Sequence, residues 1–164
     1  WNTLCIEPNP EHIDSLLKHR KNNLFLACAE AEGHLPLTVF KVGERNISTS
    51  LTSLVPDKRL IESHKDIIND RYTVEVKVKT LANVLQTDAT TTKFGLQKNI
   101  DFVSIDTEGT ELSVLRGFNF KDYNVKLFVV ENNYNDPEIE SFMISKGYKK
   151  DKRYKINDFY VKED

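Results

Sequence analysis

Acidic and amide side chains follow three separate apolar stretches of this 164-residue chain, and they are the groups best suited to carry chemistry. They are Glu7, then Asp106 with Glu108, then Glu131 with Asn132. Carboxylates accept hydrogen bonds from ligand hydroxyl groups, take up protons and bind hard divalent cations. If the three stretches are neighbouring strands, these side chains converge on one cleft.

The stretch over residues 100–117 predicts how two of these acids are held. Its first residues are apolar and partly β-branched, as in a buried strand, and helical spacing follows from Thr110. Gly117 ends the helix, and we expect the backbone of this glycine to be in the left-handed conformation. Ligands bind at the carboxyl ends of strands in open α/β sheets. Asp106 and Glu108 could instead only cap the helix, but one carboxylate is enough for a cap, so the pair favours a site.

The N-terminal part of the chain predicts a βαβ unit. Residues 3–6 form its first strand and residues 24–29 its second, while Asn9 and Pro10 open the helix between them. Strands joined in this way are parallel. Glu7, at the end of the first strand, suits a carboxylate that accepts both hydroxyls of a ribose. The alternative is a surface acid beside the next helix.

The C-terminal part predicts an antiparallel hairpin that follows a buried strand. Residues 125–130 form that strand, and residues 148–156 and 159–161 form the hairpin around a two-residue turn at Asn157-Asp158. The hairpin would lie at one edge of the sheet.

Alternating strands and helices predict a single α/β domain over residues 1–164, with a mostly parallel sheet and an antiparallel edge. Residues 45–56 are rich in Ser, Thr and Asn and show no clear period. We expect them to form a mobile loop over the site.

The composition excludes several classes of function. Apolar residues make up 39 % and charged residues 29 %, as in an ordinary globular protein. The net charge of −2, with no dominant block of Lys and Arg, argues against a nucleic-acid partner. No apolar run approaches the roughly 20 residues of a membrane helix, and the N-terminus does not resemble a signal peptide. We expect a cytoplasmic protein with no membrane partner, in which Cys5 and Cys28 are reduced.

A divalent metal is an alternative ligand for the predicted cleft. Asp106, Glu131 and Asn132 offer hard oxygen ligands from two strand ends, which suit Mg²⁺. No spacing in the sequence fixes such a geometry, and the four histidines show no metal-ligand spacing. Our prediction is therefore a site without a metal.

Three motifs resemble the FkbM-type methyltransferases. They are Cys-Ile-Glu-Pro-Asn-Pro at residues 5–10, Val-Ser-Ile-Asp-Thr-Glu-Gly-Thr-Glu at residues 103–111 with Val-Leu-Arg-Gly at residues 114–117, and Glu-Asn-Asn at residues 131–133. The Asp-x-Glu-Gly-x-Glu element, followed by Leu and Gly, is the most specific of them. The resemblance implies a class I, Rossmann-like enzyme that uses S-adenosylmethionine to methylate a hydroxyl group of a small molecule or a sugar.

The resemblance also implies roles for individual residues. Glu7 would bind the ribose of the cofactor, Ala29 would lie near its adenine, and Asp106 would face its methionine end. Glu108 would lie beside the reacting methyl group, and together with Glu131 it forms the candidate catalytic pair. Which of them, if either, is the general base stays open.

The chain departs from the family at its start. The family begins with a strand and a glycine-rich loop, ahead of the segment that here starts at Trp1, so we expect a chain truncated before the second strand. The absent strand would lie between the strands that end at Glu7 and Asp106, and without its loop the 164 residues alone should bind S-adenosylmethionine poorly. Two alternatives are a non-catalytic remnant and another nucleotide-binding Rossmann-like domain, such as an NAD-dependent one. The oligomeric state is left open.

Overall fold

The computed structural model describes residues 2–42, 49–54, 56, 58–86 and 98–163. In this part of the chain, three β-sheets and five α-helices form a mixed α/β architecture. No helix among the described residues is long and apolar enough to cross a membrane.

The N-terminal βαβ unit is confirmed, although its strands are short. Its second strand does not extend over residues 24–29 as predicted, because residues 27–28 belong to a strand of another sheet. Its elements are β1 (Cys5–Ile6), a 3-10 turn (Pro10–His12), α1 (Ile13–His19) and β2 (Asn23–Leu24). β1 and β2 are parallel. The buried Asn9 side chain caps the 3-10 turn by accepting a 3.0 Å hydrogen bond from the backbone N–H of Glu11.

The second sheet has the strand order β3-β6-β4-β5. Its elements are β3 (Ala27–Cys28), β4 (Gly33–Val42), β5 (Thr49–Ser53) and β6 (Ile68–Lys79), with α2 (Lys58–His64) before β6 and α3 (Leu81–Gln86) after it. β4 is antiparallel to both neighbours, whereas β3 is parallel to β6. The prediction of a loop over residues 45–56 is wrong for residues 49–53, which form β5. This strand is mostly Ser and Thr and is held by backbone pairing with β4, so it shows no apolar period; residues 45–48 and 55 lie outside the described residues.

The third sheet has the strand order β7-β8-β10-β9 and carries the predicted acids. Its elements are β7 (Asn99–Ile105), α4 (Glu111–Arg116), β8 (Asn124–Glu131), α5 (Pro137–Ser145), β9 (Tyr148–Tyr154) and β10 (Asn157–Lys162). β7 and β8 are parallel, and β10 is antiparallel to β8 and β9, which confirms the parallel pair and the hairpin. The prediction that the strand before Asp106 is buried is wrong, because only Ile105 of β7 is buried and Phe102 is 44 % exposed.

The turn of the hairpin was wrongly placed at Asn157-Asp158. The chain turns at residues 155–156, where Lys155 has φ of +54°, and Asp158 is fully buried within β10. The Asp158 carboxylate accepts hydrogen bonds from Asn132 and Arg153 at 2.9 Å. These distant partners, rather than local turn preference, explain the register.

The expectation of one mostly parallel sheet is also wrong. Among the described strands, three pairings are parallel and four are antiparallel, and they belong to three sheets. The connection from β3 to β4 spans only residues 29–32, which is too short for the crossover that parallel neighbours require. β4 therefore turns back and pairs antiparallel with β6.

The main core lies between the third sheet and helices α3, α4 and α5. Its most deeply buried side chains include Leu115, Val125, Phe128, Met143 and Tyr160. This packing fixes the ends of β7 and β8, where the acids lie.

Gly117 has a different role from the one predicted. Its φ of −80° is not left-handed, so the expected left-handed ending of the helix is wrong. A Cβ atom at this position would lie 2.3 Å from the backbone oxygen of Ala29. Glycine is needed here because the end of α4 lies against the end of β3.

Candidate active site

A cavity of about 1330 Å³ lies between β1 and β7. Residues 2–8 line it on one side and residues 99–108 on the other, so both strands border it along their lengths. Among the described strands, β1 pairs with β2 and β7 pairs with β8, but the two do not pair with each other. The carboxyl ends of β1 and β7 open into the same cavity.

The turn after β7 is held by a carboxylate that the sequence analysis did not select. Glu111 Oε1 accepts hydrogen bonds from the backbone N–H groups of Thr107 (2.9 Å) and Gly109 (3.0 Å) and from the Thr107 hydroxyl (3.1 Å). Glu111 is only 6 % exposed. It thus binds N–H groups of the turn before α4, whereas Thr110, the N-cap residue of that helix, makes no side-chain cap hydrogen bond.

Glu108 is fixed by its backbone as well. Its φ of +54° is left-handed, and the following Gly109 has φ of +105°. The Glu108 carbonyl accepts a 3.1 Å hydrogen bond from the hydroxyl of Ser53, a buried residue of β5. The second sheet therefore helps to hold the turn that carries Glu108.

The structure brings Asp106, Glu108 and Glu131 together. One carboxylate oxygen from each lies within 4.8 Å of the other two. Asp106 and Glu131 become neighbours because they directly follow Ile105 and Val130, which are paired in the parallel β7–β8 ladder. We call these three side chains the acid cluster.

Glu131 is the most constrained member of the acid cluster. It is 4 % exposed, and its Oε2 atom has no hydrogen-bond partner among the described residues. Burial raises its pKa to about 8, and the negative charges of Asp106, Glu108 and Glu111 add to this effect. Burial and the charge of Asp106 also raise the pKa of Glu108, whereas His64 opposes that shift. The acid cluster therefore favours binding a proton or another positive charge.

Glu7 lines the same cavity as Asp106 and Glu108, directly after β1. Its Oε1 atom accepts a 2.8 Å hydrogen bond from the Asn9 backbone N–H, and its Oε2 atom lies 3.6 Å from Nδ1 of His12. Its carboxylate is thus oriented at the entrance to α1 while still lining the cavity.

Ala29 is buried and does not line the cavity, whereas its neighbour Cys28 does. Burial raises the pKa of the Cys28 thiol to about 12, so this side chain is neutral and adds no charge to that wall.

Asn132 does not point to metal chemistry. Its amide nitrogen donates to the carbonyl of Asp136 (3.1 Å) and to the carboxylate of Asp158 (2.9 Å), and its amide oxygen accepts from the Asp136 N–H at 2.7 Å. Both ends of the amide are thereby engaged in joining β8 to α5 and β10. Of the three groups that the metal alternative proposed, Asp106 and Glu131 lie in the acid cluster and Asn132 supports it.

Comparison with known proteins gives one match. Residues 1–150 match the family described as the Methyltransferase FkbM domain. No curated protein and no solved structure matches the chain.

Proposed function

The chain belongs to the FkbM methyltransferase domain family, and we propose that it transfers the methyl group of S-adenosylmethionine to a hydroxyl group of a small molecule or a carbohydrate. The family membership indicates a methyltransferase. The observation that carries the finer proposal is the acid cluster, two members of which, Asp106 and Glu108, line a large cavity that Glu7 also lines.

The charge of the site favours this cofactor. S-adenosylmethionine carries a positive sulfonium and a positive ammonium group, and three carboxylates at the ends of β7 and β8 would attract both. The same carboxylates would repel the diphosphate of NAD. The site thus supports a cationic cofactor over the dinucleotide alternative.

The cofactor would lie across the carboxyl ends of β1 and β7. Glu7 would accept hydrogen bonds from the ribose hydroxyls, and Cys28, which lines the cavity next to the buried Ala29, would lie near the adenine. Asp106 faces the methionine end, and Glu108 lies beside the methyl group.

The transfer is a single displacement. Bound here, S-adenosylmethionine would supply its methyl group to the acceptor oxygen, with S-adenosylhomocysteine as the leaving group and the acceptor proton passing to a base. Holding the two reactants in line supplies much of the rate. Glu131 is suited to take the proton, because a base with a pKa of about 8 works well near neutral pH.

The proposal includes the finer fold assignment, a class I sheet with one further strand. The part of the cavity between β1 and β7 would hold this strand and its glycine-rich loop, and the part at their carboxyl ends would hold the cofactor. The two bordering strands, which do not pair with each other among the described residues, support this division.

Calorimetric titration tests the cofactor assignment in the full-length natural protein that carries these residues. We expect binding of S-adenosylmethionine and S-adenosylhomocysteine but not of NAD. Glu7→Ala should weaken binding by about 1.5–3 kcal/mol, the range for hydrogen bonds to a charged group. Glu75→Ala, on the exposed face of β6, is the control and should leave the affinity unchanged.

Two results would contradict the proposal in different ways. Unchanged affinity in Glu7→Ala would remove Glu7 from the ribose site. Binding of NAD in place of S-adenosylhomocysteine would overturn the cofactor class.

A further inference from the structure

The acid cluster concentrates three carboxylates at the end of β7 and β8, and we propose that it binds one divalent cation of the hard, oxygen-preferring class, such as Mg²⁺, Mn²⁺ or Ca²⁺. The ligands are one oxygen each from Asp106, Glu108 and Glu131. This corrects our prediction from the sequence, which was a site without a metal, and it replaces Asn132 by Glu108 in the ligand set of the alternative.

The spacing of the three oxygens fits such a cation. Opposite ligands in an octahedral shell lie two bond lengths apart, about 4.2 Å for Mg²⁺ and about 4.8 Å for Ca²⁺. The three oxygens already lie within 4.8 Å of one another. Three ligands cannot all be opposite one another, and at that largest separation a central cation would lie about 2.8 Å from each oxygen. Each carboxylate would then need to move inward by about 0.4 Å for Ca²⁺ or about 0.7 Å for Mg²⁺, and Asp106, whose side chain is exposed, is free to do so by rotation.

A second observation points to a ligand at the same place. The Glu131 side chain is 4 % exposed, and its Oε2 atom has no hydrogen-bond partner among the described residues. Buried carboxylates are usually paired or coordinate a metal. A cation within the acid cluster would supply the missing partner and would offset the repulsion among the three charges.

The surroundings hold the cluster in a fixed geometry. Asp106 and Glu131 follow paired strand positions, and Glu111 binds the N–H groups of the turn that carries Glu108. The Asn132 amide is engaged by Asp136 and Asp158, so it braces the end of β8 and leaves coordination to the carboxylates. Asp106 and Glu108 line the cavity, so water or an acceptor oxygen could reach the cation from it.

Bound at this site, the cation would lower the pKa of an acceptor hydroxyl. With Glu131 engaged as a ligand, the proton of that hydroxyl would pass to water in the cavity in place of the Glu131 carboxylate proposed above. This role rests on the proposed methyl transfer. Cation binding itself does not, because it can be measured with neither cofactor nor acceptor present.

The test is Mn²⁺ binding to the full-length protein from which metals have first been removed with a chelator. Binding is measured as the loss of the free-ion signal in electron paramagnetic resonance. We expect one Mn²⁺ per chain with a dissociation constant of about 10⁻⁴ to 10⁻³ M, displaced by Mg²⁺ or Ca²⁺. Glu131→Gln and Asp106→Asn should each weaken binding about tenfold or more. Glu75→Gln, far from the acid cluster, should bind like the wild type.

The possible results separate the two ideas. A folded wild-type protein that shows no saturable Mn²⁺ binding, or variants that bind as tightly as it does, would overturn the cation site. If Glu131→Gln does not fold, Asp106→Asn carries the test, because its side chain is exposed. Binding of S-adenosylhomocysteine without Mn²⁺ binding would refute this inference alone, and Mn²⁺ binding without S-adenosylhomocysteine binding would refute the proposed cofactor alone.

Discussion

The raised pKa of Glu131 predicts how the stability of this protein changes with pH. Its pKa is raised from 4.5 to about 8, so between these values the folded protein binds a proton that the unfolded chain releases. Stability is therefore greatest, as far as this group is concerned, below pH 4.5 and is lost as the pH rises through 8. Glu131→Gln keeps the shape of the side chain, and its amide stays neutral inside the protein at high pH, where the glutamate would be charged.

The size of the effect follows from the same pKa values. A change from 4.5 to about 8 corresponds to about 5 kcal/mol, at about 1.4 kcal/mol for each tenfold change in proton affinity. Asp106 is exposed and can turn away from an ionised Glu131, which relieves part of the repulsion. We therefore expect the variant to gain about 2–4 kcal/mol of stability over the wild type between pH 5 and pH 8.

Urea unfolding at several pH values, in the presence of a chelator, measures this difference. Subtracting the wild-type curve from the variant curve removes most groups that titrate alike in both proteins. Asp158 does not interfere, because its neighbours lower its pKa and it stays ionised throughout this range. If the difference in unfolding free energy between variant and wild type does not change between pH 5 and pH 8, the raised pKa of Glu131 is refuted.

Two further substitutions test the packing around the site. Gly117→Ala should destabilise the protein by about 1–3 kcal/mol, since its Cβ would overlap the backbone oxygen of Ala29; an unchanged melting temperature would contradict that close approach. Asp158→Asn should cost about 3–5 kcal/mol in urea unfolding at neutral pH, because it removes the charge that faces Lys150 and Arg153; a wild-type unfolding curve would show that this pair is dispensable.

Local sequence patterns predicted the elements that carry the acids. Apolar runs and a capped helix were enough to place β7, β8 and α4, and parallel pairing then brings Asp106 next to Glu131. The cap at Asn9 was predicted in the same way, and its side chain accepts a hydrogen bond from the backbone N–H two residues ahead. The family, recognised from the same motifs, is confirmed.

Features that depend on distant partners were not predictable in this way. The register of the hairpin depends on Asp158 reaching Asn132 and Arg153, which no turn motif reveals. Glu111 was noted only as part of a motif. Its place three residues after Glu108 could have suggested that its carboxylate binds the backbone N–H of Gly109 in the intervening turn. β5 was missed because its polar residues show no apolar alternation.

The hydrogen bond from Ser53 to the turn at Glu108 has a consequence for how this protein can diversify. The acids belong to the third sheet, but Leu37, Thr52 and Leu54, at β4 and β5, form another wall of the same cavity. Substitutions on that wall can alter which acceptors fit while the reactive groups keep their positions. Selection for a new substrate would therefore act first on the second sheet, with Ser53 as the position that has least freedom to vary.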